Sequence, residues 1–358
     1  MQRRRLLQSV PALAGVALAG CMDDSGGSTA TTADATDTAE PTTTTPDGPS
    51  GIYVQTFMDE MEMVGMGKAG DLRASLMLSI PHDFWNVNGT SVEKTTVVDA
   101  DSFHLMTTVF DAETRQVLPA SVSTEIVRDD DLVTQEGTYP MLSQRMGFHY
   151  GANFEVAEFG EYVARVNFEG LGSTRAVGAL EGKYDASSTI EIPFEWSESV
   201  ADAFSVRDVD AGGQAGAVRP MGSMDAPMGR LPAPDALPGA VLGSKVADGA
   251  TLVVGRVDDG GRFADGDYLY VSARTRYNGY VVPMLGLEAT VTRDGETVFD
   301  DRLAPTIDPE AGYHYGAAVD GLESGDEVAV YATAPAQVAR HEGYERAFRQ
   351  LGSRTFQA

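Results

Sequence analysis

The hexapeptide Gly-Phe-His-Tyr-Gly-Ala at residues 147–152 reappears later in the chain as Gly-Tyr-His-Tyr-Gly-Ala at residues 312–317. The likeness extends beyond the six residues, because Pro140 and Pro305 each lie nine positions before the histidine of their block. Duplication of a unit of about a hundred residues explains both matches, whereas a solenoid would need a longer array of repeats. The sequence therefore predicts two homologous domains in tandem.

Most of the remaining sequence alternates between apolar and polar residues, as β-strands with one buried face do. Tyr162, Ala164, Val166 and Phe168 would point to one face of such a strand. The dipeptide at residues 294–295, Asp-Gly, separates two such runs and predicts a tight hairpin turn. We predict an all-β fold of two tandem immunoglobulin-like β-sandwich domains without the disulfide of that fold. Further strands are predicted at residues 105–109, 121–127, 268–273 and 328–331.

The N-terminal segment has the pattern of an export signal. Three arginines at residues 3–5 precede an apolar stretch at residues 10–20, which is too short to cross a bilayer. The paired arginines resemble a Tat signal, and Leu-Ala-Gly-Cys at residues 18–21 resembles a lipoprotein box. We predict a Tat-like lipoprotein signal peptide at residues 1–20 and lipidation of Cys21, the only cysteine, with an unmodified cysteine as the alternative. The protein would then be lipid-anchored at the extracellular face of the cytoplasmic membrane.

Composition predicts the other boundaries. Residues 21–50 are rich in Thr, Asp, Ser and Pro and cannot bury enough apolar surface to fold, which predicts a disordered stalk. Residues 206–248 are rich in Gly, Pro and Met and are predicted to link a first sandwich at residues 51–205 to a second at residues 249–358. In this linker Met221, Met224 and Met228 are candidate ligands for Cu(I), and loose packing is the alternative.

The charge and the motifs exclude several classes of function. The chain has 53 Asp and Glu against 26 Lys and Arg, and its formal net charge is −27. This dispersed acidity is typical of a halophile's surface, with an acidic cation-binding surface as the alternative. Nucleic-acid binding is excluded because it needs a basic face. No Ser-His-acid spacing, phosphate-binding glycine loop or His-Glu-x-x-His motif occurs, so we do not predict an enzyme.

One part of the first unit resembles a known family. Met141 follows a proline and precedes His149-Tyr150-Gly151 by several residues, and an alternating strand lies upstream. This arrangement resembles the periplasmic iron-transport protein family, which also contains a spirochaete lipoprotein antigen. The resemblance covers residues 99–196 and, less closely, residues 267–348. It implies an immunoglobulin-like sandwich that binds a transition metal and cooperates with a membrane metal transporter.

The resemblance also implies ligands. His149 matches the family's central histidine, Met141 its methionine and His104 the histidine of its first strand. Met106 stands where the family has a carboxylate, which would make the site softer. The family's Arg-His pair is replaced by Arg-Ala at residues 175–176, so the fourth ligand is open, with His82 and Met146 as candidates.

The second unit departs from the pattern in other ways. It keeps His314 and the pair Arg340-His341, but Thr306 stands where Met141 does, and residues 268–274 contain no histidine. We predict an incomplete second site with His314 and His341 as candidate ligands. A structural role is the alternative, in which the two sandwiches pair as the subunits of a homodimer would. Dimerisation of the whole chain is also left open.

The ligand chemistry favours iron or copper as the bound metal. Imidazole suits copper, iron, nickel and zinc, a thioether shifts the preference toward copper, and neither suits magnesium or calcium. The repeated His-Tyr-Gly block also has a structural interpretation, as a turn in which glycine permits positive φ. The alternative function is a non-catalytic cell-surface interaction module of tandem immunoglobulin-like domains.

Overall fold

The computed structural model describes residues 51–222 and 225–358. The predicted signal peptide, the predicted lipidation site Cys21, the predicted stalk and Met224 lie outside the described residues. Within the described part of the chain, no helix has the length and apolar character needed to cross a membrane. All described residues belong to one compact unit.

The first half of the described chain consists of strands β1 to β14, a short 3₁₀ turn at Gly178–Leu180 and the six-residue helix α1 at Glu198–Ala203. The strands are β1 (Phe57–Asp59), β2 (Met61–Ala69), β3 (Leu72–Ser79), β4 (Phe84–Asn88), β5 (Ser91–Thr95), β6 (Phe103–Asp111), β7 (Val122–Arg128), β8 (Asp131–Glu136), β9 (Tyr139–Ser143), β10 (Gly147–Phe154), β11 (Gly160–Phe168), β12 (Arg175–Ala176), β13 (Ser188–Trp196) and β14 (Val206–Asp208).

The second half begins with a 3₁₀ turn at Pro234–Ala236 and continues through strands β15 to β24. These are β15 (Ala240–Ala247), β16 (Ala250–Val257), β17 (Asp267–Thr275), β18 (Gly286–Arg293), β19 (Glu296–Arg302), β20 (Ala304–Asp308), β21 (Gly312–Val319), β22 (Glu327–Ala334), β23 (Ala339–Arg340) and β24 (Ser353–Gln357).

The predicted all-β sandwich fold is confirmed, and the runs of alternating residues lie in strands β6, β7, β11, β17 and β22. The predicted hairpin joins β18 to β19. Its two turn residues, Asp294 and Gly295, have φ angles of 49° and 84°. Positive φ at both positions is what a type I′ turn requires, and such a turn matches the twist of the paired strands.

Apart from a two-stranded sheet of β1 and β14, the strands of the described residues form two pairs of sheets with a repeated order. In the first half, an eight-stranded sheet has the order β2-β3-β6-β10-β9-β23-β4-β5, and a four-stranded sheet has the order β13-β11-β7-β8. In the second half, the orders are β12-β20-β21-β17-β16-β15 and β19-β18-β22-β24. The run β3-β6-β10-β9 thus has its counterpart in β16-β17-β21-β20, as the duplicated sequence predicts.

Each half contributes a two-residue strand to the main sheet of the other. Strand β23 pairs parallel with β9, where Ala339 is opposite Met141. Strand β12 pairs parallel with β20, where Arg175 is opposite Thr306. The two strands are equivalent, since Arg175 is as far from Arg340 in sequence as His149 is from His314. The halves therefore exchange equivalent segments.

The predicted linker contains structure at both of its ends. Strand β14 pairs with β1, and β15 pairs along its length with β16. A β-bulge between Val241 and Gly243 interrupts the regular register of β15. Such a bulge breaks the alternation of apolar and polar residues, which is why the sequence pattern did not predict this strand.

Strand β6, which pairs with the strand that carries the first copy of the duplicated block, is buried on both faces. Strand β11 alternates as predicted, but all nine residues of β6 are buried. Leu105 and Val109 belong to the main apolar core, whereas His104, Met106 and Thr108 lie on the opposite face and are also buried. Residues from outside the sandwich must therefore cover this second face of the sheet.

Candidate metal centre

Four histidines and a methionine meet on that second face. His104 lies on β6, His149 on β10 and Met141 directly opposite His149 on β9. His82 comes from the loop between β3 and β4, and His341 follows β23. The metal-binding atoms of His82, His104 and His341 all lie within 4.8 Å of one another. The ring centroid of His149 lies 5.0 Å from that of His341.

Strand register explains why residues far apart in sequence converge. Side chains of a strand alternate between its two faces, so His149 shares a face of β10 with Asn153. Asn153 lies directly opposite His104 on the neighbouring strand. Both histidines are therefore on the same side of the sheet, as metal binding by the pair requires.

Hydrogen bonds fix the orientation of three of the rings. His104 Nδ1 lies 2.8 Å from Asn153 Oδ1, and the amide of Asn153 also donates to the carbonyl oxygen of His82 at 3.2 Å. His149 Nδ1 lies 3.1 Å from the carbonyl oxygen of Gly147. His82 Nδ1 lies 3.2 Å from the carbonyl oxygen of the next residue. Because each of these oxygens accepts, each Nδ1 carries the proton and each Nε2 keeps its lone pair, which is the tautomer that metal-binding histidines adopt.

Three of the Nε2 atoms have no partner. The Nε2 atoms of His104, His149 and His341 are buried and make no hydrogen bond within the described structure. An unsatisfied buried polar atom costs roughly 1–3 kcal/mol, and proteins rarely leave several side by side without a functional reason. A metal ion bound by these nitrogens would remove that cost.

Gly151 leaves space beside two of the donor atoms. A Cβ atom at this position would lie 2.7 Å from His104 Nε2 and 3.2 Å from the sulfur of Met141. Any side chain there would occupy the space between an imidazole and a thioether. The glycine of the His-Tyr-Gly block therefore lets His104 Nε2 and the Met141 sulfur lie close to the backbone of β10.

Apolar and cationic groups hold the segment that carries His341. Phe84, Met141 and Ala339 form a small buried cluster against the histidines, and the Phe84 ring centroid lies 6.0 Å from that of His104. Arg340 is fully buried and donates to the carbonyl oxygens of Ala336 and Val338. The side chain of Arg340 thus anchors β23 to the second half of the chain, while the backbone of β23 pairs with β9 of the first half.

Burial keeps the imidazoles neutral. It lowers the pKa of His149 to about 4. Burial also lowers the pKa of His104 and of His341 well below the ordinary value, and repulsion by the neighbouring imidazoles adds to this effect. The pKa of His82 is lowered by burial as well, against the opposing charges of nearby aspartates. Neutral imidazoles are the form that can bind a metal, and burial therefore keeps these four side chains in that form at neutral pH.

The structure corrects the predicted second site. His341 does not lie with His314 but with His82 and His104, because β23 joins the sheet of the first half. Two histidines, His82 and His341, therefore lie beside His104 where the sequence left the fourth ligand open. Met106 and Met146 lie instead in a methionine cluster beside the imidazoles. Arg175 and Arg340 are as far apart in sequence as His149 and His314, and this equal spacing could have revealed the exchange.

In the second half, Tyr268 occupies the position that His104 has in the first half. Tyr268 pairs with the residue four after His314, just as His104 pairs with the residue four after His149. The Tyr268 hydroxyl lies 3.1 Å from His314 Nε2 and 3.4 Å from the hydroxyl of Thr306. Phe263 stacks on Tyr268 with ring centroids 5.0 Å apart. Hence His314, the one histidine of this region, has its Nε2 atom hydrogen-bonded to Tyr268.

Comparison with known proteins gives a family match in the second half of the chain and a likeness to solved structures. Residues 235–357 match a family described as "Domain of unknown function (DUF7350)". No protein with a curated description matches. Two structures of FetP from uropathogenic Escherichia coli strain F11 are similar, each with 17% identity over 38% of this chain. One is the protein as isolated, with a TM-score of 0.32 over 96% of its chain, and the other is a copper-bound variant, with a TM-score of 0.31 over 97%.

Proposed function

We propose that this protein binds one transition-metal ion, copper or iron, between His82, His104, His149, His341 and Met141. The observation that carries the proposal is the set of three buried Nε2 atoms without hydrogen-bond partners. Neutral imidazoles and a thioether favour copper over iron, and they exclude magnesium and calcium.

We also propose where the protein acts. The predicted export signal and lipidation at Cys21 support an extracytoplasmic protein tethered to the membrane, and the resemblance to iron-transport proteins supports delivery of the metal to a membrane transporter. Cells that carry the variant His104→Ala/His149→Ala in place of the wild type should accumulate less radioactive copper or iron. Unchanged accumulation would contradict the role in uptake.

Metal binding itself is tested with the purified protein. Wild type, His104→Ala/His149→Ala and the control His314→Ala are each incubated with Cu(II), Fe(II), Fe(III) or Zn(II), desalted and analysed for metal. We expect about one ion per chain in the wild type and the control, and none in the double variant. Equal, negligible retention in all three would leave the surface-module interpretation.

A second variant tests the site without removing any of the proposed ligand atoms. Gly151→Ala places a methyl group between His104 Nε2 and the sulfur of Met141. The expected result is loss of most bound metal with the same β-sheet circular dichroism spectrum as the wild type. Full retention would show that the ion does not occupy this space.

A further inference from the structure

A large pocket borders His82 on the outside of the imidazole centre. Its volume is about 640 Å³, which lies within the roughly 300–1,000 Å³ of small-molecule sites. Residues of β1, β14, the loop between β3 and β4 and the segment after β23 line it. The pocket is therefore large enough for an organic molecule and not only for an ion.

Aromatic and aliphatic side chains form much of the pocket wall. Tyr53, Phe57 and Trp85 line it, together with Val97 and Val206. The two valines are 40% and 49% exposed. Exposed apolar residues that gather around one concave pocket, unlike those scattered singly over a surface, mark a place where another molecule binds.

The charged side chains of the pocket are mostly acidic. Asp83, Glu342 and Glu345 line it against a single guanidinium, that of Arg346. Lys94 lies outside this lining but pairs with Asp83 at 2.5 Å. Even when Lys94 is counted, three carboxylates face two cations, so the pocket favours a positively charged occupant.

Hydrogen bonds hold two of these carboxylates in place. Thr56 donates to Glu342 from its backbone N–H at 3.1 Å and from its hydroxyl at 2.6 Å. The hydroxyl of Tyr53 donates to Glu345 at 2.7 Å. These bonds leave further lone pairs on the carboxylate oxygens and do not cancel their charge. The negative charge is therefore fixed in position beside the aromatic rings.

Trp85 adds a second feature that attracts cations. The face of an indole ring attracts a positive charge that lies within about 6 Å of its centroid. The Nζ atom of Lys94 already lies 5.4 Å from the centroid of this ring. A hydrated metal ion needs oxygen, nitrogen or sulfur donors and gains nothing from apolar walls. The combination of rings, valines and carboxylates fits a cation that carries an apolar body.

We propose that this pocket binds an organic cation of the quaternary ammonium type. Such a cation has no N–H group to donate, so it is recognised by aromatic faces and negative charge instead of by hydrogen bonds. Trp85 and the neighbouring rings contact its methyl groups, and the carboxylates attract its charge. The inference goes beyond the proposed function, because neither the rings nor the carboxylates require a bound metal.

The test compares choline with 3,3-dimethylbutan-1-ol, which has the same shape but no charge. Saturation-transfer NMR of the metal-free protein follows the methyl protons of each probe over a series of concentrations. We expect saturable binding of choline that is at least about tenfold tighter than that of the alcohol. Equal binding of the two probes, or no saturable binding of choline, would overturn the proposal.

A pair of variants places the probe in the pocket. Trp85→Leu removes the ring face but keeps an apolar side chain, and choline should bind about tenfold more weakly. The control is Tyr277→Leu, which removes an exposed ring elsewhere that also has a cation, Arg276, over it at 5.4 Å. This control should bind choline as the wild type does. Binding at full strength by a folded Trp85→Leu variant would overturn the proposal.

A second pair of variants covers the case in which Trp85→Leu does not fold. Val206→Lys adds a positive charge at the exposed rim of the pocket, and Val298→Lys adds the same charge at an exposed position on β19. We expect choline to bind about tenfold more weakly to Val206→Lys and unchanged to Val298→Lys. Equal affinities would show that choline binds elsewhere. None of these results depends on copper, so failure of the proposed metal centre would leave this site standing.

Discussion

The His104 centre, formed by His82, His104, His149, His341 and Met141, and the equivalent region around His314 have the same backbone arrangement. Their side chains differ. In both, a histidine follows a glycine with positive φ and its Nδ1 points to that glycine's carbonyl oxygen, at 3.1 Å for His149 and 2.9 Å for His314. Burial lowers the pKa of both to about 4. Yet His149 Nε2 has no partner, whereas His314 Nε2 contacts the hydroxyl of Tyr268.

The comparison shows that the same backbone can hold either a histidine with a free Nε2 atom or one whose Nε2 is hydrogen-bonded. The aromatic block is also a structural device, because Tyr150 and Tyr315 make the same contacts in each half. The hydroxyl of Tyr150 donates to the Leu118 carbonyl at 2.7 Å, and that of Tyr315 donates to the Val282 carbonyl at 3.0 Å. The proposed metal binding would therefore depend on a few side chains that differ between two copies of the same scaffold.

The largest expected effect is the creation of a second site. Tyr268→His/Thr306→Met/Ala176→His restores at the His314 position the residue types of the first centre. We expect the chain to bind about one additional Cu(II) ion, measured by metal analysis after desalting. Adding His314→Ala to this variant should abolish the gain. An unchanged metal content in a folded triple variant would contradict the equivalence of the two positions.

Removal of His341 tests whether the second half completes the first centre. His341→Ala deletes one donor while leaving β23 and the buried side chain of Arg340 in place. We expect copper affinity to fall by at least about a hundredfold, since even outer-shell changes cost about tenfold to a hundredfold. Isothermal titration beside His314→Ala, which should bind as the wild type does, provides the measurement. Equal affinities for the two variants would show that His341 is not a ligand.

A smaller effect is expected from Asn153→Ala. This change removes the acceptor that holds Nδ1 of His104 and the donor to the carbonyl of His82. Copper affinity should fall by about tenfold, because the ring loses its fixed orientation but keeps its nitrogen. The same titration reports the change. A loss as large as that of His104→Ala would mean that the site collapses without the amide.

The smallest effect is on stability as a function of pH. The pKa of His314 is about 4 when folded, against an ordinary value of 6.5. The unfolded chain therefore binds more protons in this range, and the free energy of unfolding should fall as pH drops from about 6.5 to 4. Between pH 6.5 and 5 the loss is about 1.5 kcal/mol for this residue, because the unfolded imidazole is only half protonated at pH 6.5.

Urea unfolding of the metal-free protein at pH 7 and pH 5 measures this loss. His314→Gln should show a weaker dependence on pH than the wild type, because the titrating group is gone. Identical pH dependence of wild type and His314→Gln would contradict a neutral buried His314.

Local sequence patterns predicted the fold well and the centre in part. Alternation identified β11 and β17, and Asp294-Gly295 predicted its hairpin, since strand period and turn geometry are local properties. The convergence of His104, His149 and Met141 was implied by the resemblance and depends on the register of β6, β9 and β10. These features need no knowledge of how the two halves meet.

The rest depends on contacts between distant segments. His341 was assigned to the His314 site instead of the His104 site because a two-residue exchanged strand has no periodicity to detect. Tyr268 stands in the second half where His104 stands in the first, and this equivalence follows only from the pairing of β17 with β21. The methionine cluster was missed for the same reason, since only the register of β3 against β6 places Met77 opposite Met106.

X-ray absorption of the Cu(II)-loaded protein tests the central claim most directly, because it identifies the atoms bound to the metal. The account predicts imidazole nitrogens from both halves with a sulfur neighbour from Met141, and fewer imidazoles in the spectrum of His341→Ala. A spectrum with only oxygen neighbours, or one that His341→Ala leaves unchanged, would contradict a centre shared between the two halves of the chain.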